Sequence, residues 1–476
     1  MPDATPSELE LDESAMRQLV DEAMARLMPV LTQLETQPVH PRSSNHSEFL
    51  SGLVEGPPAQ GTPFEALLDH LFVECLPTSL NATAPGFMGY VPGGGLFHAA
   101  VADLIADALN RYVGVSAVAG GFAQIEANVV RWFCQWMGLP ETAAGFLCSG
   151  GSLANWSAVV VAREHKLGED FADGVVYTSD QAHHCVAKAV RLAGLRAGNL
   201  RVLPTDETRQ LDPVKLQQAI QVDRAAGLRP FMLVASAGTT NTGVIDRLTE
   251  LAAVASAEAL WFHVDGAYGG FFHLTQRGQA RMAGIELADS IVLDPHKALF
   301  LPYGTGALLV RQADHLKFAH TAEAAYLPAS SAQQDVWEFA DLSPELTRPF
   351  RGLRVWLPLK LHGVDVFRRY LDEKLDLAEY LAQRLRSFPQ LEVLSPPQLS
   401  IVAFVVAKPK NNLALRNEQT QQLLTWINAR QNVLLTSTEL TGLFVIRAAI
   451  VSFRTHARSV DQLVQDLTSG IAELGL

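Results

Sequence analysis

The sequence predicts an α/β protein: a large domain built on a mostly parallel sheet covered by helices, with a small C-terminal α+β domain after it. Three observations carry this expectation. Between about residues 144 and 311, short apolar runs alternate with amphipathic helical stretches, the pattern of parallel strands joined by helical crossovers. From about Arg354 onward, a long helical stretch gives way to mixed strands and helices. The chain also has 476 residues, and single cores stop growing at about 250–300 residues.

Residues 1–80 are expected to form a helical arm. Apolar residues recur at helical spacing over Met16–Leu31 and Phe64–Leu76, joined by the Pro/Gly-rich Glu55–Pro63. Two short helices with little core of their own pack on a larger domain or a partner subunit, or stand as an independent hairpin.

The large domain is expected over residues 81–350. Its strands read as Gly145–Cys148, Val175–Thr178, Arg201–Leu203, Phe231–Ala235, Trp261–Asp265, Ile291–Leu293 and Ala307–Val310. The helices between them carry start signals, Asp212 before Pro213 and Asp246 before Arg247-Leu248. Sites in open sheets of this kind lie at the carboxyl ends of strands.

The small domain is expected over residues 351–476. It reads as a long helical stretch (Arg354–Ser387), strand-like Ile401–Val406, a helix around Gln419–Ala429, strand-like Val433–Leu435 and Phe444–Phe453, and a final helix Val460–Leu474.

Composition narrows the function classes. With 48% hydrophobic and 18% charged residues, the chain is globular in type. Its 37 basic and 50 acidic residues give a net charge of −13, which argues against nucleic acid or an anionic membrane as partner. A small phosphate remains admissible, because helix N-terminal N–H groups bind one without net positive charge. The four cysteines (Cys75, Cys134, Cys148, Cys185) show neither a disulfide framework nor CxxC spacing, so no metal and a reducing, cytoplasmic setting are expected. The start of the chain is acidic and does not read as a secretory signal, and no apolar run approaches the ~18 residues of a membrane span.

The chemistry concentrates in three segments. In Ser290-Ile291-Val292-Leu293-Asp294-Pro295-His296-Lys297, an apolar strand ends in a polar cluster with a lysine directly after it. A lone lysine there would be an ordinary surface residue. Upstream, however, Trp261-Phe262-His263-Val264-Asp265-Gly266-Ala267-Tyr268 delivers a carboxylate to the same expected sheet edge. Behind an apolar run Asp265 needs a cationic partner, and a pyridinium ring is one. Pyridoxal 5'-phosphate (PLP) chemistry needs an amine to carry the cofactor and an acid to keep the ring nitrogen protonated. Lys297 and Asp265 are that pair, and Ala267 is small enough to let a flat ring lie against the backbone. The third segment, Cys148-Ser149-Gly150-Gly151-Ser152-Leu153-Ala154-Asn155, turns from strand to helix through two glycines and suits a phosphate at a helix N-terminus. It matches neither GxGxxG nor GxxxxGK[ST].

Taken together, Asp-Pro-His-Lys at 294–297, His-Val-Asp-Gly-Ala-Tyr at 263–268, Ser-Asp-Gln-Ala-His at 179–183 and the Ser-Gly-Gly-Ser turn resemble the group II PLP-dependent decarboxylases, from roughly residue 60 to the C-terminus. That family includes aromatic L-amino acid, histidine, tyrosine and glutamate decarboxylases. The resemblance implies the PLP-dependent transferase fold type I and a homodimer that decarboxylates an L-amino acid to the primary amine and CO2. It implies Lys297 as the Schiff-base lysine, Asp265 as the pyridinium partner, Ala267 as a ring contact and His183 as the histidine stacked on the cofactor. It puts Thr240 near the ring and Gly151, Ser152, Asp294 and His296 at or near the phosphate. Tyr326, in the Ala/Ser/Gln-rich stretch Lys317–Leu342, matches the tyrosine of a mobile catalytic loop that protonates the α-carbon.

Other residues have plainer readings. His184 and Cys185 read as bystanders, Asp246 as a cap or a functional residue, and Arg348 as a near-site residue or a helix-surface arginine. Arg447 and Arg454 read as salt-bridged structural arginines. Ala82-Thr83 stands where aromatic-substrate members carry Trp-His, and Val115 where they place a phenylalanine, while Tyr90 and Pro92 persist. The pocket wall is therefore expected to be less aromatic. The competing readings are an aldehyde-forming oxidative deaminase or lyase on the same fold, and a PLP-binding regulator without catalysis.

Overall fold

The computed structural model describes residues 9–40, 50–321 and 337–476. Among these, seven strands form the main sheet: β1 (Ala144–Cys148), β2 (Gly174–Ser179), β3 (Leu200–Leu203), β4 (Arg229–Ser236), β5 (Trp261–Gly266), β6 (Ser290–Leu293) and β7 (Gly306–Val310). Their order is β1-β7-β6-β5-β4-β2-β3. The pairs β2/β3, β2/β4, β4/β5 and β5/β6 are parallel, whereas β7 runs antiparallel to both of its neighbours, β6 and β1. Two reversals restore direction, so β1 points the same way as β6. The carboxyl ends of β1, β2, β4, β5 and β6 therefore share one edge.

β1, β2, β5, β6 and β7 are buried along their whole length, as a sheet covered on both faces requires. Alternate residues feed two separate cores. Ile291, Leu293, Ala307 and Leu309 join one, and Val292, Leu308 and Val310 join the other, against Ala154, Ala158 and Ala162 of the helix Gly151–Leu167.

A second sheet, entirely antiparallel, holds β8 (Leu391–Val393), β9 (Ile401–Val406), β10 (Thr436–Leu440) and β11 (Leu443–Ala449) in the order β10-β11-β9-β8. The helices Leu413–Ala429 and Ala457–Leu474 contribute to its core. Two expectations change here. Val433–Leu435 forms no strand; Leu434 makes an isolated bridge to Phe87, and the strand starts at Thr436. The helical stretch after Arg354 is two helices, Gly352–His362 and Val364–Arg386, broken at Gly363, whose φ of +72° only glycine adopts without strain.

The helix Glu13–Thr32 is capped by Asp12, whose side chain accepts from Ala15 N–H at 2.8 Å, and it has no buried residue. The expected second helix is α-helical over Phe64–Asp69 and then widens to a π-turn over His70–Cys75. No described helix is long and apolar enough to cross a membrane.

Candidate active site

Five strand ends on one edge bring the singled-out residues around a cavity of about 270 Å³. Asp265 closes β5, and Ala267 follows it. Asp294, His296 and Lys297 occupy the short turn after β6, Thr240 lies in the loop after β4, and His183 in the loop after β2. The opposite wall is the start of the helix after β1, with Gly151 and Ser152. All nine line the cavity. Tyr326 lies outside the described residues.

Close packing of glycines seats that helix. A side chain at Gly306, at the start of β7, would come within 2.5 Å of Gly150 Cα, and one at Gly151 would meet Asp294 Oδ2 at 3.0 Å and Ala267 Cβ at 3.1 Å. The N–H groups of Gly151 and Ser152 open the helix, where no carbonyl stands four residues back to receive them. With the helix dipole they form an anion-binding terminus.

Lys297 Nζ lies 2.9 Å from Asp294 Oδ2. Burial pulls the pKa of this ammonium down, but the charge and hydrogen bond of Asp294, with the charge of Asp265, outweigh burial and leave it above its ordinary value. The other Asp294 oxygen, Oδ1, is buried with no protein partner, so the pocket retains an unspent acceptor. Asp265 has an N–H on each oxygen: Ala267 N at 3.1 Å on Oδ1 and Asn155 Nδ2 at 3.1 Å on Oδ2.

His183 is half-buried, and its Nδ1 accepts from Cys185 N–H at 3.3 Å, which leaves Nε2 protonated in the neutral ring. Burial holds its pKa below the usual value, with the charges of His184 and Lys297 adding to the effect. His296 donates from Nδ1 to Thr305 O at 2.6 Å, and burial holds its pKa below the usual value as well, against the opposing charge of Asp294. Cys185 lines the cavity too; burial and the nearby Asp265 push its thiol up to about 12, so it stays protonated.

Several secondary expectations are corrected. Asp246 is not the helix cap. It is buried, and its carboxylate accepts from Leu211 N and Ser236 N, both at 2.8 Å, tying β4 to the preceding loop. Arg348 is no surface arginine: its side chain is fully buried, ion-paired with Glu126, and donates to Leu147 O in β1 at 2.6 Å. Among the described residues neither Arg447 nor Arg454 forms an ion pair. Arg447 donates to the carbonyls of Thr240 and Asn241 and to Thr436 Oγ1, bracing the loop that lines the cavity, and Arg454 donates to Gly94 O. Neither Ala82 nor Val115 lines this cavity; Ala82 packs with Val39, Phe87 and Leu434.

The sequence reading missed Asn155 and His263, both buried polar residues bonded to each other and, through Asn155, to Asp265. Their signal was present: an amide within an Ala/Val-rich helix and an imidazole inside an apolar strand.

The residues fit PLP: an amine at the cavity wall, a carboxylate with both oxygens already oriented, and a glycine-bounded helix terminus for a phosphate. Fold and site together define the class, a PLP-dependent enzyme of fold type I. Comparison with known proteins makes this specific. Residues 58–407 match the description Pyridoxal-dependent decarboxylase conserved domain. The chain is 33% identical to an aromatic-L-amino-acid decarboxylase of Bacillus atrophaeus, over 98% of each chain, and 28% identical to a phenylacetaldehyde synthase of Arabidopsis thaliana, over 93% of this chain and 91% of that one. The crystal structure of Oryza sativa TDC with PLP and tryptamine superposes with a TM-score of 0.92 at 26% identity, covering 98% of this chain and 99% of that one. The chain belongs to the pyridoxal-dependent decarboxylase family and is a carboxy-lyase.

Proposed function

We propose that this chain removes the carboxylate of an L-amino acid as CO2 and releases the primary amine. The observation that carries the reading is the shared cavity of Lys297 and Asp265, at the ends of adjacent strands β6 and β5. When bound, PLP supplies a carbonyl carbon that captures an amine and a protonated ring that accepts the electron pair left by departing CO2. Lys297 would hold the cofactor and yield it to the substrate amine. Asp265 would keep the ring nitrogen protonated, with Ala267, His183 and Thr240 about the ring. The N–H groups of Gly151 and Ser152 would hold the phosphate beside His296. Asp294 retains the Lys297 proton until the amine is needed. Tyr326, or a water, would protonate the α-carbon.

The protein is proposed to act as a homodimer. On the helix Phe97–Leu109, Val101, Leu104, Ile105 and Leu109 form an exposed apolar stripe, and the helix Glu13–Thr32 buries none of its apolar residues within the chain; such contiguous exposure marks association surfaces. The free cysteines support a reducing, cytoplasmic location. The three-part division into residues 1–80, 81–350 and 351–476 is retained as a proposal.

Incubating purified protein with a panel of L-amino acids, aromatic ones included, and measuring CO2, amine, aldehyde and peroxide tests the reading. Equal CO2 and amine support it. Aldehyde in place of amine, the kind of product named for the Arabidopsis thaliana relative, accompanied by peroxide, would replace this reading with oxidative deamination.

A further inference from the structure

Trp261, His263 and Asp265 alternate along β5 and so share one face of the strand, the face covered by the helix Gly151–Leu167. A chain of hydrogen bonds runs along this face. Trp261 Nε1 donates to Ser290 Oγ at 2.7 Å, and Ser290 Oγ lies 2.7 Å from His263 Nδ1. His263 Nε2 lies 2.9 Å from Asn155 Oδ1, and Asn155 Nδ2 donates to Asp265 Oδ2 at 3.1 Å and to Gly151 O at 2.9 Å. Trp261, Ser290, His263 and Asn155 are each no more than 2% exposed.

The two ends of the chain fix its direction. An indole N–H can only donate, so Ser290 Oγ accepts from Trp261 and has its own hydrogen for His263 Nδ1. A carboxylate and a carbonyl can only accept, so the amide nitrogen of Asn155, and not its oxygen, faces Asp265 and Gly151. Asn155 Oδ1 is then an acceptor, and His263 must carry its proton on Nε2. Reversing any single member would set two acceptors or two donors face to face in a buried site, at the cost of an unmade hydrogen bond.

We propose that Asn155, His263 and Ser290 are positioning residues for Asp265: a one-way relay, anchored on Trp261, that delivers an N–H to one oxygen of the carboxylate and fixes its plane. The proposal rests on Asp265 being the partner of the ring nitrogen. The relay ties that carboxylate to Gly151, at the helix terminus read as the phosphate site, so the two groups that would grip opposite ends of the cofactor share one amide. Burial agrees with a single ring proton, pushing His263 down to about 4.

Two measurements on the holoenzyme decide it. In 15N-histidine-labelled protein, the signal lost in the His263→Gln variant should show a neutral ring protonated at Nε2; an Nδ1–H ring or an imidazolium at neutral pH overturns the relay. Cofactor retention on dilution gives the second. His263→Asn cannot reach Asn155, and Asn155→Ala removes the donor, so each should release PLP about ten- to hundredfold faster, the scale of a lost hydrogen bond to a charged group. His263→Gln places an amide N–H where Nε2–H stood and should recover most of the retention. Equal losses in His263→Gln and His263→Asn would make the position purely one of packing and overturn the relay. Asp265→Asn is measured alongside. If it loses PLP while His263→Asn and Asn155→Ala behave as wild type, the relay falls and the reading of Asp265 stands. If Asp265→Asn retains PLP and turnover, that reading falls and the proposal with it.

Discussion

Lys297 Nζ and Asp294 Oδ2 lie 2.9 Å apart, so the residues that bracket Pro295 and His296 form an ion pair inside the cavity. The neighbouring charges raise the lysine pKa against the effect of burial. In Asp294→Asn the charge is gone and burial dominates, so the amine deprotonates at lower pH. Uptake of PLP by the apoprotein requires the neutral amine, and its pH profile should move to lower pH. An unchanged profile would show that Asp294 does not govern the lysine proton.

Asp265→Asn keeps the shape of the residue but cannot hold a ring nitrogen protonated. Turnover should fall by several powers of ten, each about 1.4 kcal/mol of barrier, with little change in thermal unfolding of the apoprotein. Near-normal turnover would assign the ring nitrogen to another residue.

Glu126 and Arg348 are both fully buried, and the pair ties β1 to the helix Gly352–His362 through Leu147 O and Gly352 N. Removing one partner strands a buried charge. Arg348→Leu should lower stability by about 3–5 kcal/mol in chemical denaturation, and Glu126→Leu with Arg348→Leu together should cost less than the sum of the single changes. A single-variant loss below about 1 kcal/mol, the scale of an exposed pair, would contradict this.

The strands of the main sheet were legible because each is a short run dominated by apolar residues, and the site was legible because each functional side chain sits next to the run that delivers it. Lys297 follows β6, Asp265 ends β5 and the glycines follow β1. What escaped depends on contacts distant in sequence. Nothing near Asp246 shows that its oxygens belong to Leu211 and Ser236 rather than to its own helix. The burial of Arg348 depends on Glu126, more than two hundred residues away. The helix break at Gly363 escaped because apolar spacing continues across it.

Tyr326, outside the described residues, carries the proposal for α-carbon protonation. Tyr326→Phe removes the proton and keeps most of the shape. Amine formation should slow by about a hundredfold, the scale of general acid catalysis, and dioxygen should divert product to aldehyde, ammonia and peroxide. Amine, aldehyde and oxygen uptake measured on both forms test this; unchanged amine formation would make Tyr326 an ordinary residue of its segment.

The most direct test of the whole account is chemical trapping of the cofactor. The holoprotein should be yellow, and sodium borohydride should abolish its visible band by fixing PLP irreversibly to one lysine. Peptide mapping by mass spectrometry should then find the reduced phosphopyridoxyl group on Lys297; its recovery on another lysine, or on none, would contradict the account.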